Sequence, residues 1–173
     1  AFVKPEAGTL RMLVRVPLVA LRDYNFPSRE PGYLEISKSE NMVLEAADVW
    51  IGDYVSVLEN EEPLGRAELA AVRVAIPGDR AFRSWESAYS NILSSPLVDG
   101  IQLPTRQAMV DVLLEWPITS DFSDFSIVSG LNHLGIRTVT VLRFLPPGGA
   151  ERAFQFAGDP GVLRLDPRWH QAA

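Results

Sequence analysis

The sequence predicts a mainly β fold, an antiparallel immunoglobulin-like β-sandwich with one or two inserted helices. Three observations predict it. Short runs of alternating apolar residues recur along the chain with turn residues between them. Only two stretches, one opening near Ser37 and one near Phe82, carry the apolar spacing of a helix. Nowhere do strand and helix alternate over the whole length, which sets aside a parallel nucleotide-binding sheet.

The elements follow in order. Ala1-Phe2-Val3-Lys4 reads as a strand, with a turn at Pro5-Glu6-Ala7-Gly8. Residues 10–18 alternate, placing Leu10, Met12, Val14, Val16 and Leu18 on one face and Arg11 and Arg15 on the other. Residues 24–32, with Pro27 and Pro31, form a loop. Ser37 and Glu40 have capping-box spacing and open a helix through Ile51, with Val43, Leu44, Ala47, Trp50 and Ile51 on one face and Gly52 ending it. A hairpin is expected from 55–58 and 69–76, turning at Glu59-Asn60-Glu61-Glu62. The second helix carries Phe82, Trp85, Tyr89, Ile92 and Leu93 on one side, and 97–106 is irregular. Strands follow at 109–116, 125–128, 138–145, 152–156 and 162–165, with a turn at Pro146-Pro147-Gly148-Gly149. Residues 1–165 are assigned to the sandwich.

Composition bounds the function. The chain has 173 residues, 47% hydrophobic and 22% charged, the balance of a folded domain. Its net charge is −6 and only Lys4 and Lys38 among the sixteen basic residues are lysines. The arginines are scattered, so the basic stripe that phosphate neutralisation requires is missing, and no nucleic-acid partner is expected. Charge-driven binding to an anionic membrane is disfavoured for the same reason. There is no cysteine, which removes disulfides, thiolate nucleophiles and Cys-ligated zinc. No apolar run approaches the roughly 20 residues that cross a bilayer.

Candidate chemistry is sparse. Of the two histidines, His133 lies between apolar neighbours and reads as a structural histidine ahead of a general base, while His170 is distant; the pair makes no zinc site. Glu59, Glu61 and Glu62 cluster in a turn. Asp121-Phe122-Ser123-Asp124 lacks the spaced oxygens of a calcium loop. Asp111 and Glu115 share a strand face, more often a solvent face than an acid/base pair. A carboxylate-based hydrolase would have to use Asp111, Glu115, Asp121 or Asp124. Met12, Met42 and Met109 are single core candidates, Trp50, Trp85 and Trp116 are core aromatics, and Gly148-Gly149 is a turn and not a phosphate loop. The expectation is a protein without a catalytic site, a metal site or a cofactor of its own.

The two ends carry a further expectation. Ala1 begins mid-strand. Asp166-Pro167 is a helix start, and 166–173 read as the opening of a longer helix leading towards a membrane segment. Trp169, beside His170, is placed like an interfacial anchor, so both are expected to be membrane-proximal.

Four segments together resemble a known family: Ala1-Phe2-Val3-Lys4-Pro5; Leu13-Val14-Arg15-Val16-Pro17-Leu18; Val139-Thr140-Val141-Leu142-Arg143-Phe144-Leu145-Pro146-Pro147-Gly148-Gly149; and Gly161-Val162-Leu163-Arg164-Leu165-Asp166-Pro167-Arg168-Trp169-His170-Gln171-Ala172-Ala173. They resemble the N-terminal extracytoplasmic region of HupE/UreJ-like bacterial membrane proteins. The resemblance implies a non-catalytic domain on the periplasmic side of the inner membrane, anchored by a membrane half. It implies a docking or accessory role in a membrane assembly or in nickel transport. Its partners would be its own membrane domain or other membrane subunits, with metal met only through that half. The alternatives are an accessory subunit of a larger membrane complex without a transport role, and the carboxylate hydrolase.

Overall fold

The computed structural model describes residues 1–98, 100–135 and 139–165. Strands dominate, with two α-helices among the described residues. The helix start at 166–167, and with it Trp169 and His170, lies outside the described residues, as does Thr138 at the head of one expected strand.

The alternating N-terminal sequence folds as expected into β1 (Phe2–Glu6) and β2 (Thr9–Pro17). Ala7 and Gly8 turn between them with φ of 52° and 80°, the two left-handed residues of a tight hairpin. β2 then pairs along its whole length with β8 (Met109–Pro117), from Thr9↔Pro117 to Pro17↔Met109. Because β8 is central, its two faces are both covered: Val110, Asp111, Val112, Leu113, Leu114 and Trp116 are all buried. Alternation in the sequence separated the faces correctly but did not reveal that the polar one is also inside.

The six-stranded sheet runs β11-β10-β1-β2-β8-β7, where β7 is Glu68–Ala75, β10 is Val139–Phe144 and β11 is Arg152–Ala157. β10 and β11 form the hairpin expected over Gly148-Gly149. One pairing departs from an all-antiparallel fold, since β1 and β10 run parallel, with Phe2↔Arg143 and Val3↔Phe144. A second sheet of order β12-β9-β5-β6 consists of β5 (Val55–Glu59), β6 (Glu62–Pro63), β9 (Phe125–Ser129) and β12 (Val162–Arg164). A small ribbon pairs β3 (Ser28–Arg29), within the stretch 24–32 read as loop, with β4 (Tyr33–Leu34) just after it.

The expected hairpin of 55–58 with 69–76 does not form. β5 turns at Asn60 and Glu61, with φ of 50° and 70°, and its hairpin partner is the two-residue β6, while its other edge pairs with β9. Pro63 cannot donate to a ladder and Gly65 turns left-handed at φ 78°, so the return strand stops there. The chain crosses to the other sheet, where β7 finds β8 with Val74 opposite Val110 and Arg73 opposite Asp111.

Helix α1 (Ile36–Trp50) starts one residue ahead of the expected capping box. Its N-cap is Glu35, held extended by its N–H bond to the Pro27 carbonyl, and Ser39 Oγ donates to the Glu35 carbonyl at 2.7 Å. Ile36, Val43, Ala46 and Ala47 form its buried stripe, while Leu44 remains 46% exposed and Trp50 half-buried. Gly52 does not end the helix in a left-handed cap but opens a 3-10 turn. Helix α2 (Trp85–Ile92) is capped by Ser84, whose Oγ accepts from Ser87 N. It buries Trp85, Ala88 and Ile92; Phe82 precedes it in a 3-10 turn and Leu93 points to solvent.

Two apolar clusters result. The larger joins β2 and β8 of the six-stranded sheet (Leu10, Met12, Val14, Val112, Trp116) to β5, β9 and α1 (Val57, Phe125, Ile127, Val43). The smaller lies on the opposite face, where Phe2, Leu13 and Leu113 are covered by Trp85, Ala88 and Ile92 of α2.

Candidate functional site

The carboxylates that the sequence offers for chemistry are engaged in the fold. Asp111 in β8 is fully buried under α2 and meets Arg15 of β2 through two hydrogen bonds, Nε to Oδ1 at 2.6 Å and Nη2 to Oδ2 at 2.9 Å. Burial pushes the Asp111 carboxyl above its ordinary value, against the opposing pull of the guanidinium. For Arg15 burial works to lower the pKa, but the bonds to Asp111 and the charges of Asp111 and Asp79 outweigh it and raise it. Arg15 also donates to the Asp79 carbonyl. One pleat further along, Arg11 Nε binds Glu115 Oε2 at 2.7 Å. Asp111 and Glu115 do share a face, yet that face is covered and each acid has its own arginine.

Asp121 and Glu59 serve as backbone clamps. Asp121 accepts the N–H groups of Ala7 and Gly8, one on each oxygen and both at 2.9 Å, so it holds the tip of the first hairpin. Glu59 accepts from Thr119 N and Ser120 N at 3.0 to 3.3 Å. Burial alone would raise the Glu59 pKa; the bonds from Ser123, Ser120 and Thr119 more than offset this and lower it. Asp124 bonds through its backbone N–H to Asn60 Oδ1. Among the described residues, no three His, Asp or Glu side chains gather into a metal-holding group.

His133 is sandwiched by aromatics. Its ring lies 5.2 Å from that of Trp50 and 3.5 Å from that of Tyr54, nearly parallel to both. Nδ1 stands 3.3 Å from the Gly130 carbonyl, which can only accept, so this nitrogen carries the proton. Burial, and then the charge of Arg22, lower its pKa and keep it neutral. Arg22 stacks on Trp50 at 5.1 Å and donates to the His133 carbonyl. A side chain at Gly130 would crowd this stack, because a Cβ there would stand 3.0 Å from the Tyr54 carbonyl. Trp85 and Trp116 are buried as expected, as is Met12, while Met42 and Met109 are half-buried.

What the sequence did not reveal is a groove along the free edge of the six-stranded sheet. It has a volume of about 280 Å³ and is walled by Ile36, Glu40, Val43 and Leu44 of α1, by Val72 to Val74 of β7 and by Leu97. The backbone polarity of β7 follows from the first hairpin. A two-residue turn makes its flanking residues, Glu6 and Thr9, a hydrogen-bonded pair, and pairs alternate from there. Odd residues of β2 therefore face β1 and even residues face β8, in agreement with the bonds from Leu18 N to Ala108 O and from Ile118 N to Gly8 O. In β8 the odd residues Met109, Asp111 and Leu113 then bond Ala75, Arg73 and Ala71 of β7. That leaves the N–H and C=O groups of Val72 and Val74 turned outward into the groove. Arg73 donates Nε and Nη2 to the Ser95 carbonyl at 3.3 Å, and its Nη1 is buried without an acceptor among the described residues.

A pairing signal for this groove exists in the sequence only as the run of apolar residues at 69–76; which edge of that strand stays open depends on the partner it takes. No protein-family model matches the chain, and no curated protein and no solved structure matches it.

Proposed function

We propose that this chain is a docking module: the non-catalytic periplasmic domain of a HupE/UreJ-like membrane protein, accessory to a membrane assembly or to nickel transport. One observation carries the docking reading. Asp111, Glu115, Glu59 and Asp121 each hold an arginine or backbone amides and His133 lies in an aromatic stack, while β7 is an edge strand of the six-stranded sheet beside an apolar groove. The four segments resembling that family support the membrane setting. The apolar core shared by the two sheets supports the finer reading of the fold as an immunoglobulin-like sandwich.

Co-expression with the membrane half that the HupE/UreJ-like reading assigns to the full-length protein tests the setting. The domain, supplied separately, should co-purify with that membrane half, and failure to do so overturns the reading. Calorimetric titration of the isolated chain with nickel should show no site-specific micromolar binding; such a site would make the domain itself a metal carrier.

A further inference from the structure

We infer that β11 is the seam of a symmetric dimer, in which two copies of this chain pair their β11 strands antiparallel with Gln155 on the twofold axis. This goes beyond the docking reading and does not depend on it.

The open edge comes first. β11 ends the six-stranded sheet, with β10 as its strand partner. Arg143 N bonds Ala1 O and Leu145 N bonds Val3 O, so the odd residues of β10 serve β1. The even ones therefore serve β11, through Thr140↔Phe156, Leu142↔Phe154 and Phe144↔Arg152. That turns the N–H and C=O groups of Ala153, Gln155 and Ala157 away from the sheet, and all of these residues are exposed.

The sequence of the strand selects its partner. Residues 153–157 read Ala-Phe-Gln-Phe-Ala, the same in both directions. A twofold contact requires such self-complementarity, because the same patch meets itself. Antiparallel pairing centred on Gln155 sets Gln155 opposite Gln155, Ala153 opposite Ala157 and Phe154 opposite Phe156. The outward main-chain groups then fall in the hydrogen-bonded pairs. The phenylalanines fall in the alternate pairs, where side chains stand closer and aromatic partners are favourable. Phe154 and Phe156 are both half-buried at this edge, so a second copy covers surface that one β11 leaves open. The two Gln155 amides, each with a donor and an acceptor, can bond across the axis. No charge lies within the paired stretch. Arg152 comes opposite Gly158 of the second copy, which turns out of the strand at φ 71°.

The other edges of the two larger sheets are guarded. β6 has two residues and ends in Pro63, and β12 has three. β7 is bulged between Leu69 and Ala71 and flanked by α1 and by Pro96 and Leu97. Short strands, prolines, bulges and covering elements all discourage edge pairing. β11 runs six residues in unbroken register with β10 and holds neither proline nor lysine. A twofold contact consumes that edge, so assembly stops at two copies.

A seam of one short strand is small, and association is accordingly weak and concentration-dependent. Sedimentation velocity on the whole chain, up to about 1 mM, should show monomer passing to dimer and nothing larger. With rising concentration the amides of Ala153, Gln155 and Ala157 should exchange more slowly, while those of Phe154 and Phe156, already bonded to β10, should not change. Gln155→Lys and Gln155→Glu each set like charges across the axis and should weaken self-association at least tenfold. Because the residue is exposed, circular dichroism should be unchanged. An equimolar mixture of the two variants should restore the dimer, since Lys then faces Glu. A chain that stays monomeric overturns the inference, as does a dimer that either variant leaves intact or that protects other amides. Each of those outcomes leaves the docking reading standing, which co-purification with the membrane half decides separately.

Discussion

Arg15 and Asp111 stand directly opposite one another in the register of β2 and β8 and close a two-bond ion pair in a site from which solvent is excluded at the acid. The pair sits under α2, with Asn91 of that helix 3.4 Å from the acid and the Phe82 ring 4.7 Å from the guanidinium. Two charges taken out of water are stable only as a set.

Arg15→Met should therefore lower the free energy of unfolding by about 3–5 kcal/mol, the usual cost of stranding one buried charge. Asp111→Leu in the same chain should recover a large part of that loss. Urea unfolding of the two single variants and the double variant checks it, and simple additivity would refute the coupling.

Loss of the Glu59 clamp should be milder. Glu59→Gln should cost about 1–2 kcal/mol, because charged acceptors of backbone N–H groups are replaced by a neutral one. The native pKa of Glu59 is depressed, so its contribution is present above the ordinary carboxyl value and is lost as pH falls through the lowered native one. The variant should show a flatter fall in stability on acidification.

His133 works in a higher window. Its native pKa is lowered, so as pH falls through about 6.5 the unfolded chain takes up a proton that the folded imidazole refuses. Thermal midpoints should drop between pH 7.5 and 5. His133→Phe keeps a ring between Trp50 and Tyr54 and should reduce that drop.

The first turn can be improved. Ala7 holds a left-handed φ of 52° ahead of Gly8, a position that asparagine tolerates better than alanine. Ala7→Asn should raise stability by about 0.5–1 kcal/mol, with the Asp121 bonds to the backbone unchanged. A drop in the denaturation midpoint would show that the side chain collides with the 117–124 loop.

Local pattern alone determined much of this protein. Period-two alternation located β1, β2, β8, β9, β10, β11 and β12, and the apolar spacing located both helices, because burying one face imposes its period on the sequence. The Gly148-Gly149 turn was legible for the same kind of reason, since few residues suit its backbone. Partner choice was not legible. Only the folded chain decided that β7 leaves β5 and joins β8, that β1 runs parallel to β10, and that the polar face carrying Arg15 and Asp111 lies beneath α2. The capping-box spacing at Ser37 and Glu40 likewise gave way to the extended arm that delivers Glu35. A strand's sequence records which face is apolar, whereas its neighbour is set by competition among all edges of the sheet. The outward-turned amides of Val72 and Val74 follow from that competition, and so does the groove.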